Sequence, residues 1–211
     1  MKTPVSKTPR RGRPARSSEQ AEASRGLIVE SARKLFAAEG YEGVSMRKIA
    51  ALAGCSPAAL YTLFPNKRQL LRGIWEELFS ELLVQLERAY TVSAAPDRVE
   101  AICLAFVDFW LQRPDDYRAI FMIEDRLQGE RDSYFVDSAQ VMQRMAVLPR
   151  SIAEAQARGE QRAGDPLQMQ NILLCGIQGI AGSLIGMPEF PWGDPHQLKQ
   201  ATIRALITGL R

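Results

Sequence analysis

Histidine is almost missing from this 211-residue chain: it has one, His196, and three cysteines, Cys55, Cys103 and Cys175, with no C-x-x-C pair among them. Metal sites built from imidazole and thiolate need several such ligands at short spacings, so no metal site and no cofactor is expected. An odd number of scattered thiols suits a reducing compartment, where they act as small apolar fillers; Cys55, in a turn, is the one candidate for a redox switch. His196 stands beside Pro195 at a helix start with no Ser or Cys nucleophile near it in a recognisable motif. No catalytic residue is assigned, and an enzyme is not expected.

Long hydrophobic runs are missing too. The longest apolar region, 167–187, is interrupted by Gln168, Gln170, Asn171 and Gln178, short of an uninterrupted membrane-spanning run. The basic amino terminus lacks an apolar stretch behind it, so it does not read as a secretory signal, and cytoplasmic residence without a membrane partner is the expectation. No period-two alternation of the kind that marks strands occurs. With 46% apolar residues the chain can still bury a sizeable core, and the expected fold is all-α.

Charge is unevenly placed. A net +3 hides 14 Lys and Arg against five Glu in residues 1–72, with an acidic excess in the remainder. A basic first third is the electrostatic footprint of a polyanion binder. Residues 1–18 carry six Lys or Arg and three Pro with no acid; such a segment cannot pack a core, and a disordered basic arm is expected. Within it Arg11-Gly12-Arg13-Pro14 resembles the core of an AT-hook, with Arg11 and Arg13 entering a narrow A·T minor groove, the alternative being a solvated basic tail.

The most informative stretch is SMRKIAALAGCSPAALYTLFPNKRQLL, residues 45–71. Ser45 can cap a helix whose buried stripe is Ile49, Ala50 and Leu52, and Gly54 follows where a left-handed residue ends it. Ser56 caps a second helix with Pro57 in its first turn. Asn66 and Gln69 form a capping box for a longer third one. Upstream, Leu27, Ile28, Ala32, Leu35 and Phe36 share one face of a helix that ends at Gly40. Two short helices packed across a tight turn read as a DNA-binding helix-turn-helix, with the Ser56-capped helix as the recognition helix.

The order helix, Gly40-Tyr41-x-Gly43-Val44-Ser45, helix, turn, helix, Leu60-Tyr61-x-x-Phe64-x-x-Lys67 resembles the TetR/AcrR family of transcriptional regulators. That resemblance implies a ligand-responsive, homodimeric DNA-binding regulator, usually a repressor, that leaves a double-stranded palindromic operator when a small hydrophobic or aromatic effector binds. An AT-preferring architectural DNA-binding protein without effector is the alternative. By the same resemblance Tyr61 and Lys67 grip phosphates, with Ser45 and Arg47 at the start of the helix that abuts the backbone. Base reading falls to Ser56, Ala58, Ala59 and Thr62. Leu60, Leu63 and Phe64 belong to the domain core.

Beyond residue 72 helices are expected at 67–90, 97–113, 114–123, 134–158, 166–186 and 195–210, several with Pro near the start. The expected organisation is a basic arm (1–18), a helix-turn-helix domain (19–72) and a helical ligand-binding and dimerisation domain (73–211). Phe79, Phe106, Trp110, Tyr117, Phe121, Met142, Met145 and Gln178 are the candidates for a ligand cavity, an aromatic and methionine-rich interior being otherwise plain core. Gly176, Gly179 and Gly182 let another helix come close, and with Leu198 and Leu206 of the last helix they are the candidates for a dimer interface.

Overall fold

Helices begin here where a short polar side chain can accept a hydrogen bond from an otherwise unpaired amide. In the computed structural model, which describes residues 18–122 and 146–210, Ser45 Oγ accepts from Lys48 N at 3.3 Å, Ser56 Oγ from Ala59 N at 3.2 Å and Asn66 Oδ1 from Gln69 N at 2.8 Å. These caps open α2 (Met46–Leu52), α3 (Pro57–Leu63) and α4 (Lys67–Val92), each contributing on the order of 1 kcal/mol. Ahead of them runs α1 (Ser18–Gly43), broken at Gly40, whose φ of 72° only glycine adopts freely.

After α4 come a 3-10 turn (Ala95–Asp97), α5 (Arg98–Leu111), α6 (Pro114–Phe121), α7 (Val147–Ala157), α8 (Pro166–Gly186) and α9 (Pro195–Thr208). Asp165 and Asp194 cap α8 and α9, each followed by a proline in the first turn. No strand occurs among the described residues. The all-α expectation holds: a three-helix amino-terminal unit leads into a helical bundle. The expected helix ends shift by a residue or two, and the described part of the 134–158 helix is α7.

Burial follows the helical stripes with two corrections. On α1 the buried face is Ile28, Val29, Ala32 and Phe36, while Leu27 is 62% exposed; it lies roughly 150° around the axis from the centre of that face. On α2 the buried residues are Met46, Ile49 and Ala50, with Leu52 54% exposed. Leu52 sits roughly 110° from that stripe. Helix α4 ties the two units together: Leu70, Leu71 and Ile74 at its start and Leu78, Leu82 and Leu86 further on are all buried in one continuous core. Where α4 passes the end of α3, Gly73 stands against Phe64; a Cβ there would lie 3.0 Å from the ring, so the absent side chain makes room for it.

In the bundle, α5 is the central helix and packs on α4, α8 and α9. Phe106, Val107, Phe109 and Trp110 are buried on it, as is Cys103. Burial pushes the Cys103 thiol up to about 12, which makes it an inert filler as expected. Cys55 is half-buried and Cys175 is exposed on the surface of α8, so the filler reading does not extend to Cys175. Helix α8 is long and apolar enough to cross a membrane by length and composition alone, although its sequence falls short of an uninterrupted apolar run; here it packs on α5, α7 and α9. Arg11, Arg13, Met142 and Met145 lie outside the described residues.

Candidate nucleic-acid interface and apolar cavity

The turn between α2 and α3 is closed by backbone bonds at Gly54 (φ 67°), where Cys55 N donates to Ala50 O at 3.0 Å and Gly54 N to Ala51 O at 3.3 Å. This pairing ends a helix on a left-handed residue and fixes the exit direction of the chain. Leu60 and Phe64 are buried and Leu63 half-buried, so α3 is anchored along one side. On its other side Ser56, Ala58, Tyr61 and Thr62 are exposed and Ala59 half-buried; Tyr61 keeps 48% of its surface.

The hydrogen-bonding capacity of that face is smaller than its residue types suggest. Ser56 already accepts from an amide in its own helix, and Thr62 donates its one hydroxyl proton to Ala58 O at 2.9 Å. Thr62 therefore offers only an acceptor and a methyl group outward, and the alanines only methyls. Among neighbouring cations, Lys48 is paired with Glu39 at 2.5 Å. Arg47 is exposed and makes no ion pair among the described residues.

Lys67, expected on a phosphate, is committed to the domain itself. Its ammonium donates to Tyr41 O at 2.6 Å and Val44 O at 3.2 Å and lies 4.0 Å from the centre of the Tyr41 ring. It binds carbonyl oxygens near and just past the end of α1, which ties the start of α4 to the helix-turn-helix.

Among the ligand-pocket candidates the structure separates two groups. Trp110 meets Tyr117 and Phe121 edge to face and Tyr117 lies tilted on Phe121, with ring centres 5.7 Å (Trp110–Tyr117), 5.2 Å (Trp110–Phe121) and 4.8 Å (Tyr117–Phe121) apart. The Tyr117 hydroxyl donates to Gln178 Oε1 at 3.1 Å, and burial raises its pKa. These four residues are therefore a packed node joining α5, α6 and α8, and they do not border the cavity described next. Phe79 and Phe106 do line a cavity of about 30 Å³ between α4, α5, α7 and α8, together with Leu82, Leu86, Leu174 and Ile177. Gln170 of α8 is the polar lining residue among the described ones, and its buried Oε1 has no hydrogen-bond partner. It was not among the residues expected there, although Gln170, Leu174 and Ile177 follow one another at i, i+4 and i+7, which places a polar residue on an inward apolar face.

A second joint links the two units. Arg33 of α1 donates to both carboxylate oxygens of Asp116 on α6, at 2.7 and 2.6 Å, with side chains 20% and 13% exposed. The hydrogen bonds to Asp116 raise the Arg33 pKa, and its charge is fixed. Helix α6 thus holds the amino-terminal unit at its start and the aromatic node at its end.

The dimer candidates also divide. A Cβ on Gly176 would clash with Leu206 Cδ1 and stand 3.2 Å from Cδ2, so Gly176 and Leu206 pack α8 on α9 within one chain. A Cβ on Gly182 would meet the Tyr117 hydroxyl at 3.0 Å. Gly179 faces open space, beside exposed Ile172 and Cys175, and Leu198 is half-buried. Close approach is thus met inside the chain at two of the three glycines. His196 N donates to the capping carboxylate of Asp194 at 2.9 Å, and no cluster of His, Cys, Asp and Glu able to hold a metal occurs among the described residues.

Residues 28–74 match the family described as bacterial regulatory proteins, tetR family. Over 93 residues the chain is 32% identical to the nicotine-responsive transcriptional repressor HdnoR of Paenarthrobacter nicotinovorans, covering 44% of this chain and 46% of that one. The chain spans from about a quarter to under half the length of the first curated relatives it matches. Its fold is similar to a tetR-family regulatory protein from Rhodococcus RHA1 (TM-score 0.67, 23% identity, 89% of this chain and 96% of that one). It is also similar to FadR of Bacillus subtilis, solved with stearoyl-CoA (TM-score 0.72, 17% identity, 88% and 99%). At these identities the two solved structures speak for the fold.

Proposed function

Given that the chain belongs to the TetR/AcrR family of DNA-binding transcriptional regulators, we propose that it acts as a homodimeric repressor that binds a palindromic operator and releases it when a small hydrophobic effector enters the bundle. The observation that carries this reading is the presentation of α3: buried Leu60 and Phe64 hold it, while Ala58, Tyr61 and Thr62 stand outward. Arg47 and Tyr61 position the domain on phosphates, and the methyl groups of Ala58, Ala59 and Thr62 meet thymine. With so few donors on α3, sequence choice leans on DNA shape and on Arg11 and Arg13 of the arm. The open side of α8 around Ile172, Cys175 and Gly179, with exposed Ala201 and Ala205 of α9, supports the pairing of two copies; Leu198 flanks that face, while Gly176 and Leu206 shape it from behind.

Coupling follows from the helices shared by cavity and DNA-side unit. Phe79, Leu82 and Leu86 of α4 border the cavity, and the start of the same helix carries Lys67 on Tyr41 and Gly73 on Phe64. A ligand that displaces α4 shifts the recognition helices off their one-turn spacing, and DNA and effector then weaken each other's binding by the same factor. HdnoR, by its name, answers nicotine, and FadR was solved with stearoyl-CoA; both support control by an organic small molecule with an apolar portion. The test is to recover genomic fragments bound by purified protein at near-physiological salt with competitor DNA and to footprint them. A short protected palindrome supports the reading; broad, AT-biased protection sinks it in favour of an architectural protein.

A further inference from the structure

The cavity between α4, α5, α7 and α8 presents one unanswered polar atom. Gln170 Oε1 is buried without a hydrogen-bond partner, and its described neighbours Phe79, Leu82, Phe106, Leu174 and Ile177 are apolar. An unpaired buried carboxamide oxygen is destabilising, by roughly 1–3 kcal/mol. A trapped water does not relieve it. The cavity, about 30 Å³, has room for one water, but a stable buried water needs two to four polar partners and the described walls supply one. No ionisable side chain is among the described lining residues, so a charged group entering would lose its hydration without a counter-ion.

Resting on the effector-controlled reading above, we infer that Gln170 is the polar anchor of the effector site and that the site takes a neutral, mainly apolar molecule carrying one hydroxyl or N–H donor. The body of the ligand lies among the leucines, isoleucines and phenylalanines, and its donor pairs with Gln170 Oε1. A hydroxyl suits the site best, because it can donate to the amide oxygen or, after rotation of the carboxamide, accept from the amide nitrogen. The space outlined is too small for such a molecule as it stands. Binding therefore pushes α4 from α8, and the same ligand that satisfies Gln170 moves the helix that carries Lys67.

Three probes of matched shape test this on the full-length chain: cyclohexanol, methylcyclohexane and cyclohexanecarboxylate, titrated by ligand-observed NMR against wild type and Gln170→Leu. Wild type is expected to bind cyclohexanol about tenfold or more tighter than either of the others, the worth of one satisfied buried hydrogen bond. Gln170→Leu should fold at least as stably as wild type, since the orphan oxygen is gone, and should lose the preference for cyclohexanol over methylcyclohexane. Overturning results are a preference that survives in Gln170→Leu, a carboxylate that binds as tightly as the alcohol, or no binding by any probe. Footprinting on the same preparation keeps the two readings apart: a palindromic footprint with any of those three probe results discards the donor-bearing ligand and leaves the regulator standing.

Discussion

Cutting the Arg33–Asp116 joint should cost more than removing a surface ion pair. Both carboxylate oxygens are engaged at 2.7 and 2.6 Å, and the two side chains are 20% and 13% exposed. Exposed pairs contribute about 0–1 kcal/mol, whereas stripping one partner from a fully buried pair costs about 3–5 kcal/mol. Partial exposure, and Glu30 standing 3.8 Å from Arg33 as a substitute partner, place Asp116→Ala between these limits, at about 2 kcal/mol. For a chain of this size that is a fall in Tm of roughly 4–8 °C. The decisive assay is a double-mutant cycle by chemical denaturation with Arg33→Leu, Asp116→Leu and both together. A coupling energy of at least about 1 kcal/mol is expected; additivity within about 0.5 kcal/mol would refute the claim that this pair fastens α6 to α1.

Four further outcomes are expected. Gly176→Ala should destabilise the chain by about 1–3 kcal/mol as Leu206 is forced aside, and Leu206→Ala in the same chain should recover much of that loss; a neutral Gly176→Ala in thermal denaturation contradicts the packing. Gly179→Ala has open space in the protomer, so it should leave the fold intact but weaken self-association in analytical ultracentrifugation; an unchanged association constant argues against α8 as the dimer face. Hydrogen bonding from Tyr90, together with Arg98, holds the Glu154 carboxyl below the usual carboxylate range, so its stabilisation is present above the unfolded value of about 4.3 and is lost as pH falls through the lower folded value. Glu154→Gln should therefore melt below wild type at pH 7 with the gap narrowing below about pH 4; a gap constant from pH 7 to 3 would exclude this. In native alkylation mapped by mass spectrometry, Cys103 should stay unmodified until the chain is denatured, and Cys175 should be shielded when two copies pair; rapid native labelling of Cys103 contradicts its burial.

The features legible in the sequence are local ones. Ser45, Ser56 and Asn66 as caps, Gly54 as the left-handed stop and the prolines opening α3, α8 and α9 depend on neighbours within a few residues, and each stands as expected. Leu27 and Leu52 are exposed against expectation because an apolar residue at the margin of a stripe is indistinguishable by type from one at its centre. Roles set by distant partners are not legible. Lys67 meets Tyr41 across 26 positions, Arg33 meets Asp116 across 83 and Tyr117 meets Gln178 across 61. Phe79, Phe106, Trp110 and Tyr117 are interior as expected, but which border space and which border each other depends on how α5, α6 and α8 cross. Gln170 does carry a local signal, its spacing to Leu174 and Ile177, but a glutamine in an apolar helix equally reads as a break in a membrane span.

The most direct test of the whole account uses the palindrome recovered by footprinting and two altered copies, one with five base pairs inserted between the half-sites and one with ten. If two recognition helices held by one dimer face the same side of the duplex, the half-turn insertion should reduce affinity to the level of nonspecific DNA, typically a loss of about a thousandfold or more at physiological salt. The full-turn insertion restores the facing but doubles the separation and should also bind poorly. Equal binding to all three duplexes would contradict a dimeric helix-turn-helix regulator.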